Sequence, residues 1–182
     1  QTRRNMANHN ITAWSVMLAS TRLDGSAWHR TLVMPVSVTP KRVVGIIINQ
    51  ISTVNVDVLG FDLPYEYESS PIYLGGPVNP REIRLLHTTD WGTEKTDVFY
   101  NNVAVTNDNG AIDLFKIHKA PQYYRFIAGC VWWAPERLDR ELDEKLWIPV
   151  SMNNNSILAI PAPEQWDFVV NELLRMAVER LF

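Results

Sequence analysis

Residues 42–50 read RVVGIIINQ. Val43, Val44, Ile46, Ile47 and Ile48 make a nearly continuous β-branched run, and such side chains favour extended backbone. A strand with one wet face would alternate apolar and polar residues. This run does not alternate, so it predicts a strand buried on both faces. Gly45 inside it predicts a bulge or a close approach of neighbouring chain. Asn49 closes the strand, where its amide can cap a turn or point at a ligand, and the capping role is favoured.

Short elements surround this strand. WSVMLAS (14–20) and TLVMPVSV (31–38) read as strands, the second placed at an edge or given a bulge by Pro35. Residues 55–64 hold a short helix or an extended segment, and SSPIYLGGPV (69–78) holds a strand ending at its glycines. VFYNNVAVTND (98–108) is a strand–turn–strand pattern around Asn101 and Asn102. GAIDLFKIHKA (110–120) predicts a short helix, and YYRFIAGCVWW (123–133) another buried strand. PERLDRELDEK (135–145) predicts a helix with proline at its first position and Leu138 and Leu142 on one face. Its Glu136–Arg140 and Glu141–Lys145 spacings suit i,i+4 pairs. LWIPV and SILAI read as short strands. The last segment, from Trp166, carries Val169, Val170, Leu173, Leu174, Ala177 and Leu181 at helical spacing, a core-packing stripe. Strands interleaved with few helices predict an α+β fold. No linker or repeat interrupts the chain, so residues 11–182 read as a single domain behind a flexible N-terminal segment, 1–10.

Composition narrows the function classes. The 182 residues are 46% hydrophobic and 20% charged, a globular balance. No apolar run approaches the roughly 20 residues that span a bilayer, and no apolar stretch follows Arg3 and Arg4 as in a secretory leader. Cys130, the single cysteine, lies in apolar FIAGCVWW, so no internal disulfide forms and a cytoplasmic setting is expected. Residues 1–42 carry six basic side chains against Asp24 alone, a net of +5, while the rest of the chain carries −8. A basic segment can track phosphates. These charges are scattered rather than clustered, so a solvated surface is favoured over nucleic-acid contact.

The chain holds no GxSxG elbow, Walker loop, GxGxxG or HExxH. His9, His29, His87 and His118 are isolated, so neither a metal nor a cofactor is expected. Gly75-Gly76-Pro77 reads either as an anion nest or as a tight turn. The turn is favoured, because Pro77 removes one of the N–H donors a nest would need. His87, after Leu85-Leu86, titrates in the range of an acid, base or sensor, yet no catalytic partner is identifiable, so a hydrogen-bonded structural histidine is favoured. Trp132 and Trp133 are adjacent, so on a strand one enters the core. The other becomes an interface anchor or lies under a helix.

In this order, GIIIN (45–49), YLGGPV (73–78), LLH (85–87), AGCVWWAPERLDREL (128–142), LWIPV (146–150) and the helix from Trp166 resemble the YqgE/AlgH family of bacterial proteins. Gly129, Trp133, Leu138, Glu141 and Leu142 keep the frame of the fourth block. The resemblance implies a curved, barrel-like mixed sheet flanked by helices. It implies no established activity, and the transcriptional-regulator label of some members comes without a recognisable DNA-binding motif. This chain departs from the pattern at Ser37 and Val38, where the family often has Glu-His, and at Gln50 and Ile51, where a basic residue and proline are common.

The expectation is a non-enzymatic binding or regulatory protein contacting a protein partner or small ligand. Trp132 and Trp133 are its interface residues. The competing reading is an enzyme with a pocket near Asn49, Gly75, Gly76 and His87, and a third is nucleic-acid contact through the basic N-terminal part.

Overall fold

The computed structural model describes residue 11 and residues 15–100, 102–107, 111–117, 119–152 and 157–182. The expected flexible segment 1–10 lies outside the described residues, as do Arg3, Arg4, His9, Trp14, Asn101 and His118.

The β-branched run forms β3 (Val43–Ile47), and it is buried on both faces as its pattern requires. Val44, Ile46 and Ile48 turn to one core, Val43 and Ile47 to another. Around it stand β1 (Val16–Ala19), β2 (Leu32–Val38), β4 (Ile51–Asn55), β5 (Pro71–Leu74), β6 (Val78–His87), β7 (Thr96–Tyr100), β8 (Val103–Thr106), β9 (Tyr124–Trp133) and β10 (Trp147–Val150). The main path runs β10-β1-β2-β3-β9-β6-β8-β7 and curls into a half-barrel, with β4 and β5 attached beside β9. Among the described residues the pairings are antiparallel except β5 with β9, which makes the sheet mixed. Four helices flank it among the described residues: α1 (Tyr65–Glu68), α2 (Ala111–Phe115), α3 (Pro135–Asp143) and α4 (Ala162–Leu181).

β9 is the central strand. One of its edges takes β3 at residues 131–133 and, further along, β5 at residues 126–128. The other edge takes β6, whose register slips between Val78 and Ile83. Gly129, at φ 78°, accommodates the kink, and the strand's facing parity changes across it. Ile127 and Cys130 both face the core under α4, whereas Val131 and Trp133 face the layer under α3.

Three apolar layers result. Leu18, Leu32, Ile46, Leu86 and Val105 line the concave face against Val169 of α4. Met17, Val33, Val43 and Trp133 meet Leu138 and Leu142 of α3 on the opposite side. Phe126 and Leu85 pack on Phe115 of α2 with Val56 and Leu63. Each fully buried aliphatic or phenyl side chain contributes roughly 1.5–3 kcal/mol.

Two local expectations need correction, and one strand had no counterpart in the sequence reading. SILAI is a 3-10 turn at Ile157–Ala159, because its apolar residues fill the core ahead of α4 rather than pair with a strand. Residues 81–87 belong to the long strand β6, whose polar first half hides any alternation. The stripe on α4 is buried only in its first part, since Leu174 is 60% exposed and Leu181 78%. Pro35 does mark a bulge, with the β2–β3 register shifting between Pro35 and Ser37, and it lies past Leu32 and Val33, where β2 pairs with β1.

Candidate functional site

Gly75 and Gly76 lie beside the segment that carries Asn49, joined through the Ile47 N–H to the Gly75 carbonyl and the Leu74 N–H to the Gln50 carbonyl, while His87 stands apart from them. Asn49 Oδ1 accepts the Leu32 N–H at 2.9 Å and its Nδ2 donates to the Arg30 carbonyl at 2.9 Å, so the amide caps the start of β2. Gly75 sits where β3 and β9 diverge. It donates to the Ala128 carbonyl at 2.7 Å and accepts from Ile47 N–H at 2.9 Å, bridging the gap. Gly76 follows against the Cys130 carbonyl. His87 pairs with Tyr124, four to six residues away along β9, which is roughly 13–20 Å at about 3.3 Å per residue.

His87 is wholly buried and stacks edge-on to Trp91 at 5.0 Å. Its Nδ1 is 2.7 Å from the Thr88 carbonyl, which can only accept, so Nδ1 carries the proton. Nε2 then accepts from Thr106 Oγ1 at 2.8 Å, and Thr106 in turn accepts from Thr96 Oγ1 at 2.7 Å. Burial lowers the His87 pKa, against smaller upward pulls from the Thr88 bond and Asp90. The sign follows from proton uptake. Below its ordinary value of 6.5, the unfolded chain binds a proton that the folded chain refuses. His87 therefore leaves stability intact above that pH and removes it as pH falls toward the depressed folded value. Urea midpoints at pH 7.5 and pH 5.5 check this: the drop should shrink in His87→Gln, and an unchanged drop counts against it.

Trp132 and Trp133 diverge as their adjacency demands. Trp133 is 2% exposed and Trp132 39%, with the Arg42 guanidinium 3.9 Å above the Trp132 ring. Both border a cleft of about 290 Å3, walled also by Trp28, Pro77, Val78 and Trp147. Trp147 stands edge-on to Trp28 at 5.9 Å and to Trp133 at 5.8 Å. Glu141 of α3 fixes this box. Its Oε2 accepts both indole N–H groups, from Trp133 at 2.9 Å and Trp147 at 3.0 Å, while Oε1 accepts from Arg137 Nε at 2.9 Å. Arg137–Glu141 is an ion pair of α3, one residue out of phase with the Glu136–Arg140 pair expected from spacing.

The box places rigid aromatic edges around a half-open apolar space, with Arg137 and Glu141 in its lining and Arg42 stacked on the Trp132 ring. The sequence showed two of its four tryptophans as a pair. Trp28 and Trp147 arrive from distant segments, and Glu141 was marked by its spacing to Lys145 and by its place in the family frame, neither of which points to indole partners. The YLGGPV motif contributes here through Pro77 and Val78, while its glycines serve the sheet. The basic N-terminal residues that are described are dispersed: Arg22 donates to the Glu144 carbonyl, Arg30 stacks on Trp166, and Arg42 covers Trp132.

Comparison with known proteins adds the following. Residues 16–176 match the model of the AlgH-like family. A UPF0301 protein of Rickettsia africae is 26% identical over 170 residues, covering 91% of this chain and 89% of that protein. One from Rickettsia typhi is 25% identical over 179 residues, covering 96% and 93%. The solution structure of AlgH from Pseudomonas aeruginosa superposes with a TM-score of 0.69 at 21% identity, over 93% of this chain and 88% of that one. A crystal structure from Corynebacterium diphtheriae gives 0.66 at 19%, over 83% and 81%. No helix among the described residues is long and apolar enough to cross a membrane.

Proposed function

The chain belongs to the AlgH-like family, and from that premise we propose a non-enzymatic binding protein whose tryptophan cleft takes a bulky apolar group. The carrying observation is the Glu141-locked box of Trp133 and Trp147 beside the exposed Trp132. Buried aromatic anchors are what an apolar side chain or small aromatic molecule needs, and a carboxylate or sulfonate on it would meet Arg137 of the lining. The volume supports this, since an apolar cavity of about 150 Å3 already accepts benzene. Glu141 and Arg137 engage each other, and Glu141 holds the indoles too, which favours binding over proton transfer. A regulatory role in the cytoplasm, exercised through a protein partner or small ligand, fits a surface of this kind and the buried thiol of Cys130.

Titration with anilinonaphthalene sulfonate, an aromatic amphiphile with one negative charge, tests the reading. Binding near one equivalent should quench tryptophan fluorescence, and Leu146→Glu, which puts a negative charge in the cleft wall, should weaken it by about 30-fold, the size of a hot-spot loss. Equal binding by the variant would remove the cleft from consideration.

A further inference from the structure

His87 is buried, yet the hydrogen bonds on its Nε2 side lead outward. Thr106 Oγ1 of β8 donates to Nε2 at 2.8 Å, and Thr96 Oγ1 of β7 donates to Thr106 at 2.7 Å. Thr96 Oγ1 also accepts the Thr93 N–H at 2.8 Å. Thr93 and Thr96 line an open surface hollow together with Asp90, Trp91 and Gly92. Gly92 leaves the outer hydroxyl uncovered, since a Cβ there would stand 3.2 Å from Thr96 Oγ1. Its backbone has no positive φ that would call for glycine. Two hydroxyls therefore join the buried ring to the surface. A hydroxyl both donates and accepts, so such a chain reverses its sense without moving a heavy atom.

We infer that His87 takes up a proton in the folded protein through Thr96 and Thr106, and that this uptake turns the Thr96 hydroxyl outward, giving the surface hollow a new hydrogen-bond donor. A hydronium ion in the hollow gives its proton to Thr96 Oγ1. Thr96 passes its original proton to Thr106, and Thr106 passes its own to Nε2, leaving water and an imidazolium. The Nε2–H then donates to Thr106, Thr106 to Thr96, and Thr96 to solvent. Thr96 keeps the Thr93 N–H on its second lone pair, and Nδ1–H stays on the Thr88 carbonyl. No donor is orphaned in either sense of the chain. The inference is independent of the tryptophan cleft.

The groups that face His87 set where this happens. Burial lowers its pKa most strongly, and Asp90 in the following loop pulls it back in part, so uptake falls below 6.5. Asp90 keeps its charge in place by accepting from Thr88 Oγ1 at 2.5 Å and from the Gln122 N–H at 2.9 Å. Tyr124, the register partner on β9, is a phenol that burial holds neutral. Trp91 stands edge-on to the ring with Phe115 of α2 behind it. β7 and β8 face it with the two threonines.

NMR of protein labelled with nitrogen-15 histidine, titrated downward from pH 7.5, tests the proposal. At pH 7.5 His87 should show the Nδ1–H tautomer. Below its midpoint, with the backbone spectrum still folded, Nε2 should reach the imidazolium position, and near the midpoint the two forms should average into one resonance. Thr96→Val removes the outer hydroxyl and should slow proton exchange by about tenfold, the rate equivalent of one lost hydrogen bond, splitting that resonance in two. Thr96→Ser keeps the hydroxyl and should exchange as the wild type does. Gly92→Ala, at the surface, should slow exchange by less, because its methyl covers the hydroxyl without removing it. A His87 that stays neutral until the chain unfolds would overturn the proposal, as would equal exchange in the wild type and Thr96→Val. Should Thr96→Val fail to fold, Gly92→Ala decides, and unchanged exchange there overturns the relay.

Discussion

Gly75→Val should leave no folded protein. The position has no unusual backbone conformation, so the effect is steric. A Cβ at Gly75 would overlap the Gly129 carbonyl oxygen and stand 2.5 Å from Ile127 Cγ2. The obstructing oxygen belongs to the backbone of the central strand, which cannot move without disturbing β3, β5 and β6 together. Gly75 also carries the two hydrogen bonds that join β3 to β9 where they part, and displacement loses both. The loss should exceed about 4 kcal/mol, in the exceptional range for single substitutions. Gly60→Ala is the informative control. Gly60 adopts φ 74° with nothing within 4 Å of a new Cβ, so only backbone strain of about 1–2 kcal/mol applies. Circular dichroism and urea titration of both variants decide the matter, and a cooperatively folded Gly75→Val would refute the close-packing account.

Arg125→Met should cost about 3 kcal/mol, and two large effects compete in it. Arg125 is 5% exposed, and no ion pair among the described residues gives it a carboxylate. Burial pushes its pKa below the ordinary guanidinium value, so removing the charge recovers desolvation free energy. Against this, Nη1 donates to the Ile48 carbonyl at 2.6 Å and to Gln165 Oε1 at 2.5 Å, and Nη2 donates to the Ile160 carbonyl at 3.0 Å. Methionine leaves three buried acceptors without their donor, at about 1–3 kcal/mol each. The acceptors win because they sit on three different elements: the end of β3, the turn before α4, and α4 itself. Hydrogen exchange should quicken across residues 162–173. Arg125→Lys should rescue little, since an ammonium lacks the planar fork that reaches all three. Unchanged stability in Arg125→Met would show that desolvation balances the bonds.

Some of this was legible in the residues. The unbroken run Val43–Ile48 announced a doubly buried strand because no polar residue interrupts it, and Pro135 announced a helix start because it sacrifices no bond there. Adjacent Trp132 and Trp133 had to separate, and they do. The hidden parts are those decided by long-range contact. β6 escaped notice because Asn79, Arg81 and Glu82 lie in its slipped, exposed half. SILAI imitates a strand because a buried 3-10 turn is as apolar as one. The cleft was half visible, since nothing local joins Trp28 and Trp147 to Glu141. His87 was read correctly as a hydrogen-bonded side chain, but its threonine partners come from β7 and β8, beyond any local pattern.

The position of β9 in the chain bears on how the protein is made. β3, β5 and β6 are all synthesised before the strand that joins them. From Val43 to Trp133 is about 90 residues, or on the order of 5–20 s of translation at about 5–20 residues per second. Throughout that interval the β9-facing edge of β3 lacks its strand partner, and long-range pairing is slow in any case. The nascent chain therefore passes through a stage in which Val43–Ile47 is an open, adhesive edge, and productive folding depends on keeping that edge apart from other chains until residue 133 has emerged.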